Sequence, residues 1–231
     1  MGYLLEGLSR AVDLLVGGDA ETFSAVAATL EATVLSLAAA LAIGLPAGFC
    51  LGYFTFPGKR VARMLSDALM GFPTVVIGLL VYAMLSRRGP LGELGLLFTI
   101  PGMAAGLTLL ALPMVVSLTA SAVEQMDGRI RLTLLTLGAD GRQLLLGVLW
   151  EARYGVLAGA VAAFGRVVSE VGIAMMVGGN IKWHTRTITT AIALETGKGE
   201  FAQGIALGMV LLGIALAVNA VLAVLRRRSG G

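Results

Sequence analysis

Cysteine and histidine are almost missing from this sequence: Cys50 and His184 are the sole examples of each. One cysteine in an apolar run forms no disulfide framework. A lone histidine with no companion ligands leaves nothing to hold a metal or a haem, which argues against a haem-bearing electron-transfer subunit. Charge is scarce too. Asp, Glu, Lys and Arg make up 13% of the chain, against 57% for hydrophobic residues. A soluble domain carries roughly 25% charged residues. No Gly-x-x-x-x-Gly-Lys-Ser/Thr pattern occurs, so the chain has no phosphate loop for ATP. Ser/His pairs and paired carboxylates at spanning depth are also missing, which leaves a membrane-embedded enzyme poorly supported. No soluble domain, internal repeat or low-complexity segment is expected.

What is present is a series of long apolar runs, the pattern of an all-α polytopic membrane protein. Residues 1–22 carry Glu6, Arg10, Asp13, Asp19 and Glu21 among Leu4, Leu5, Leu8, Val12, Leu15 and Val16 at helical spacing. This predicts an amphipathic surface helix rather than a span or a signal peptide. Five transmembrane helices are expected at 25–54, 68–86, 100–123, 154–177 and 201–225. In the first, Gly44, Gly48 and Gly52 lie four apart, a spacing that admits close helix packing. Phe56–Arg60 reads as a basic turn. Pro73 falls near the first turn of the second span, where its missing N–H costs little. Pro101 is expected to start the third span and Pro113 to kink it.

The fourth expected span contains Arg166 and Glu170, four apart and so on one helix face, able to pair. Charges in a membrane face protein or a water-filled cavity. The pair therefore lines a polar pathway or fixes helix packing as a structural ion pair, and its self-compensation favours the second. Gly178-Gly179-Asn180 breaks the helix. Residues 178–200 follow as a polar segment that dips into the outer surface and returns.

The most distinctive non-terminal stretch is 127–153, charged and leucine-rich between long apolar runs. It reads as helix–turn–helix. A helix over Ile130–Leu137 ends at Gly138, and Asp140 with Gln143 caps a second one. Both helices are too short to cross a bilayer. Leucines presented outward suit docking to a soluble partner, and equally a loop resting on lipid headgroups. Orientation follows from the basic residues. Ten of them fall on the side of the first loop, the 127–153 segment and the C-terminus, and six on the other, with Arg166 between, accounting for all 17. The N-terminus is then outside and the C-terminus cytoplasmic.

A cytoplasmic helix–turn–helix ahead of the last two of five spans is where ABC importer permeases carry their coupling loop. Gly138 occupies the place of that family's glycine. Leu132-Thr133-Leu134 replaces its Glu-Ala-Ala, and Val148-Leu149-Trp150-Glu151 its Ile-x-Leu-Pro. The rest of the chain resembles more closely the tungstate-type permeases of the molybdate/tungstate ABC importer group. The stretches that carry this are GFPTVVIGLLVYAMLSRRGPLGELGLLFT (71–99), LALP (110–113) and LGADGRQLL (137–145). Stronger still are WEARYG (150–155), FGRVVSEVGIAMMVGGNI (164–181) and TRTITTAIALETGKG (185–199).

The resemblance implies a type I ABC importer permease-like fold in the prokaryotic cytoplasmic (inner) membrane, working as a homodimer. It implies a cytoplasmic ABC ATPase dimer, which would hold the ATP and magnesium. It also implies an extracytoplasmic tungstate- or molybdate-binding protein, where selectivity would reside. No cofactor is expected on this chain, and no nucleic acid; membrane lipid is its remaining partner. ATPase coupling is expected at Leu132, Leu134, Leu135, Leu137, Gly138, Ala139, Asp140 and Arg142. The translocation pathway or gate is expected among Pro73, Arg166, Glu170, Gly178, Gly179, Asn180, Thr185, Arg186, Thr187 and Thr189, whose hydroxyls and helix ends could ease an anion through. A molybdate or sulfate permease of the same group, and a non-transporting anchor or assembly subunit, remain as alternatives.

Overall fold

The computed structural model describes residues 6, 7, 9–11, 13, 14, 17–126 and 133–228, with 221–228 as backbone only. Seven helices of ten or more residues are assigned along it. They are α1 (Ala20–Tyr53), α2 (Lys59–Met70), α3 (Thr74–Leu85), α4 (Ile100–Glu124), α5 (Gly141–Val168), α6 (Ile188–Gly197) and α7 (Phe201–Arg228). No strand occurs among the described residues. Four helices are long and apolar enough to cross a membrane, five if the bent pair α2–α3 counts as one span. The described residues of the N-terminal segment are helical up to Leu14, and a methyl on Gly7 would meet Ile205 of α7 at 2.5 Å. The apolar positions Leu4, Leu5, Leu8, Val12, Leu15 and Val16 lie outside the described residues.

The molecule is organised around the pairing of α1 with α4. Asp19 caps α1 by accepting the Thr22 N–H at 2.8 Å. Glycines at one face then bring the two backbones together. A Cβ on Gly48 would lie 2.5 Å from the Val116 carbonyl oxygen, and one on Gly52 2.7 Å from that of Ala120. Lipid tails are as apolar as leucine, so association comes from close dispersion contact rather than from escape from water. That explains why the buried core is rich in alanine, with Ala32, Ala40, Ala111 and Ala163 fully enclosed around Met103, Val115 and Ile173. Large apolar side chains such as Val34, Leu79, Leu212 and Leu216 point outward. Pro46 and Pro113 both sit inside continuous helices, so the kink expected at Pro113 does not divide α4.

Two expected spans are built differently. The span expected at 68–86 is two helices, bent by 96° at Gly71–Pro73. Proline disfavours a helical conformation at the residue before it, so Phe72 cannot carry the helix forward, and Pro73 becomes the N-cap of α3. Lys59 and Arg63, expected in a loop, belong to α2. The span expected at 154–177 begins earlier and ends sooner. The second helix of the 127–153 segment runs without a break into it as α5, 28 residues from Gly141 to Val168. It stops at Ser169. A π-helical turn, Ala174–Gly178, follows. The expected re-entrant segment 178–200 contains α6, which packs on α7 around Ile188, Ala191, Leu207 and Val210.

Gly48→Ala should therefore lower the thermal stability of the purified protein by about 1–3 kcal/mol, the usual cost of overpacking. Gly213→Ala, where an added methyl meets nothing within 4 Å, should be neutral or stabilising. Melting temperatures of the two variants in detergent would check this.

Candidate coupling hairpin and translocation site

Residues 133–136 form one helical turn. The chain leaves it through two hydrogen bonds, Gly138 N–H to Leu135 O at 3.1 Å and Ala139 N–H to Leu134 O at 3.0 Å. These are the paired bonds of a Schellman C-cap, which needs a left-handed residue at the position of Gly138. Its φ is +79°. Asp140 then opens α5. Its Oδ1 accepts the Gln143 N–H at 2.7 Å, and its own N–H donates to Gln143 Oε1 at 3.0 Å. That closes the expected capping box.

Leu134 does not belong to an outward face: Gly147 leaves room for it, with a Cβ there 2.7 Å from Leu134 Cδ1. It holds the hairpin closed. Leu135 and Leu137 are exposed, Leu137 by 77%. Ala139 is half-buried, Gly138, Asp140 and Arg142 are exposed, and Leu132 lies outside the described residues. Leu145, Leu146, Leu149 and Trp150 extend the exposed apolar surface along α5. Their place on the same helix as the hairpin was hidden in the sequence, which shows no boundary between a short helix and a span. Behind them Arg153 stacks over Trp150 and Tyr154, at 4.5 and 4.3 Å from the ring centres.

The second region is where α5 and the bent pair both break. Glu170 lies two residues beyond the end of α5, so it and Arg166 do not share one helix face as expected. They still approach, Nη1 to Oε2, to 3.7 Å. The two ends are unequal: the Glu170 side chain is 4% exposed and that of Arg166 37%. Glu170 Oε1 accepts the Ile173 N–H at 3.2 Å, and its backbone carbonyl accepts the Thr189 hydroxyl at 3.0 Å. A methyl on Gly172 would lie 3.2 Å from Glu170 Oε1 and 3.6 Å from Thr74 Oγ1. The start of α3, after Pro73, thus adjoins the end of α5.

The remaining expected pathway residues fall into two bonded clusters. Thr185 is fully buried; its hydroxyl donates to Gly178 O at 2.5 Å and accepts the Ile181 N–H at 3.1 Å. Gly179 (φ +75°) and Asn180 (φ 50°) make the turn between them. Asn180 Oδ1 accepts Arg186 Nε at 3.2 Å, and Glu21 at the start of α1 binds both Arg186, at 2.5 Å, and Lys182, at 2.7 Å. Thr187 is the N-cap of α6 in a capping box with Thr190, and contacts the Thr189 hydroxyl at 2.9 Å. Within the chain these threonines are buried and hydrogen-bonded among themselves and to nearby backbone. The polar groups left open at the break are half-buried Arg166 and exposed Ser169, beside exposed Pro73 and half-buried Thr74. Ser169, Thr74 and Gly172 were not singled out in the sequence, where nothing brings residues 74 and 172 together.

Residues 44–230 match the family described as "Binding-protein-dependent transport system inner membrane component". The chain belongs to that family. It is 45% identical to the tungstate uptake system permease protein of Campylobacter jejuni subsp. jejuni, over 98% of this chain and 95% of the relative. The corresponding protein of Peptoclostridium acidaminophilum is 38% identical over 96% and 97%. The fold is also that of a chain in the inward-facing MetNI methionine ABC transporter, with a TM-score of 0.72, 18% identity, and coverage of 90% of this chain and 96% of that one. This assigns a type I importer permease fold to the family's all-helical chain.

Removing one member of the Arg166–Glu170 pair should be worse than removing both. Arg166→Met strands a carboxylate that is almost wholly buried, leaving its charge without a counter-ion. Arg166→Met should lower the yield of folded protein several-fold. Adding Glu170→Leu should restore part of it, and only part, because the Ile173 N–H also loses its acceptor. Size-exclusion profiles of the single and double variants would measure this.

Proposed function

We propose that this chain is the permease subunit of an ATP-driven importer for an oxyanion, tungstate. The observation that carries the reading is near-full-length similarity to two tungstate uptake permeases. The chain contributes no chemistry. It supplies the membrane path and a docking hairpin, while ATP and magnesium are bound by a separate ABC ATPase and an extracytoplasmic binding protein delivers the anion. Leu135, Leu137 and the exposed apolar residues of α5 form the surface that enters the ATPase. The capped turn at Gly138 and Asp140 gives that surface a fixed shape.

A second copy of the chain completes the path. Half-buried Arg166 on α5 and exposed Ser169 at its end leave polar groups open beside a helix of otherwise membrane-spanning character, and such groups face protein or water rather than lipid. A homodimer that places the two breaks opposite each other gives a tungstate dianion a polar route with two guanidinium groups near it. Each is balanced by its own carboxylate, so the route eases passage without trapping the ion. The excess of basic residues on the side of the hairpin and the C-terminus supports a cytoplasmic position for both, with the N-terminus outside. A reporter fused after Lys182 should read extracytoplasmic and one after Arg63 cytoplasmic; the reverse would overturn this orientation.

The test of the function is tungstate uptake by proteoliposomes holding this chain, its ATPase and its binding protein. ATP-dependent uptake of tungstate, in preference to molybdate and sulfate, is the expected result. Uptake of sulfate or molybdate instead would move the substrate within the group, and no uptake would favour an anchoring role. Gly138→Val should abolish uptake and stimulated ATP hydrolysis while leaving membrane insertion intact. Nothing lies within 4 Å of a Cβ at this position, so the fault is the positive φ alone. Gly138→Asn, which tolerates that φ, should retain most activity. Asp140→Ala loses a cap worth about 1 kcal/mol and should reduce uptake only in part.

A further inference from the structure

One polar cluster lies outside both regions. Three of the four charged residues of α2, Lys59, Arg63 and Asp67, contact α4, while Arg60, Val61, Met64, Leu65 and Leu69 are exposed. Lys59 Nζ meets Glu124 Oε1 at 3.2 Å and donates to Gly52 O at 2.9 Å. Arg63 approaches Glu124 at 3.8 Å and Asp67 at 3.5 Å, and its Nη1 donates to Ser117 O at 2.8 Å. Its Nη2 reaches the Ser121 hydroxyl, and the Ser117 hydroxyl donates to Asp67. The contacts run antiparallel, Lys59 beside the end of α4 and Asp67 beside Ser117, so α2 is fixed in register along two turns of α4.

We propose that Arg63, with Lys59, Asp67 and Glu124, is a rigid strut that carries movement of the coupling hairpin to the translocation site. Arg63 is its central positioning residue. This rests on the coupling reading given above. Glu124 is the last residue of α4, at the foot of the hairpin segment. α2 ends at the Gly71–Pro73 bend, and α3 begins there. α3 in turn is packed on the broken stretch after α5: a Cβ on Gly78 would lie 2.9 Å from Met176 Sδ and 3.5 Å from Ile173 Cα. A displacement at the end of α4 therefore reaches the stretch beside Glu170 through α2 and α3. An apolar contact between α2 and α4 would let the helices slide. A guanidinium hydrogen-bonded at once to a carbonyl and a hydroxyl of α4, with the Glu124 carboxylate 3.8 Å away, holds one register. The net charge of the four side chains is zero, so the cluster gives an anion in transit no particular attraction, and its role is mechanical.

The strut is tested by uptake per ATP hydrolysed, which a merely stabilising network would leave unchanged. The full complex with its ATPase and binding protein is reconstituted with tungstate as the probe. Arg63→Gln should keep ATPase co-purification and at least half of ATP hydrolysis, while tungstate uptake per ATP falls at least tenfold. Arg63→Lys, which keeps the charge but loses the fork, should recover part of that ratio. Glu124→Gln, the milder change, decides the matter if Arg63→Gln does not fold: a ratio reduced at least threefold supports the strut. An unchanged ratio in the folded variants overturns it, as does a loss of uptake and hydrolysis in equal proportion. A wild-type complex that takes up no oxyanion would refute the permease reading itself, whatever the variants do.

Discussion

Within hydrocarbon, a backbone or side-chain polar group has no water to turn to and must find its partner in the protein. Three irregular stretches among the described residues are shaped by that requirement. At Gly71–Pro73 the backbone breaks, and the Gly71 and Phe72 N–H groups close back on Ala68 and Leu69. After α5, the Glu170 carboxylate takes the Ile173 N–H that the helix can no longer serve. At Gly178–Thr187 one buried threonine hydroxyl bridges both sides of the turn, and another caps the next helix. Satisfied in this way, the breaks are fixed features rather than loose ones, and they can be placed where a path is needed.

Local rules made part of this legible in the sequence. The glycine spacing at 44, 48 and 52 did announce a close helix contact, because small residues on one helix face serve little else. Gly138 and Asp140 could be read as a stop and a start, since both signals act over three or four residues. The bent second span was hidden. Lys59, Arg63 and Asp67 look like loop charges in a linear reading, and their partners Ser117 and Ser121 lie 54 and 58 residues from Arg63. The end of α5 was hidden for the opposite reason: the apolar pattern continues to Val177 whether or not the helix does. The threonines at 185, 187 and 189 suggested a hydrated lining, yet hydroxyls are as useful for closing an intramolecular turn. Composition does not separate those uses; burial does.

The same requirement divides the molecule into an unbroken side and a broken side. α1 and α4 are uninterrupted, meet through glycine at near-contact distance, and bury mostly small residues, so they cannot slide against each other without a steric clash and move as one body. α2–α3 and the stretch after α5 are broken at adjoining places, where Thr74 and Gly172 meet. Irregular backbone at such depth is tolerated where it is buried in protein or lines a water-filled cavity. Here the buried side is taken by Glu170 and the threonines. The open side carries Arg166 and Ser169. The proposed polar path on that side has α1 and α4 behind it as a paired support, and the bent span α2–α3 is joined to that support by charged contacts. Among the described residues those contacts, from Lys59, Arg63 and Asp67, reach Gly52 of α1 and the last two turns of α4, beside the hairpin, where force from a soluble partner would enter.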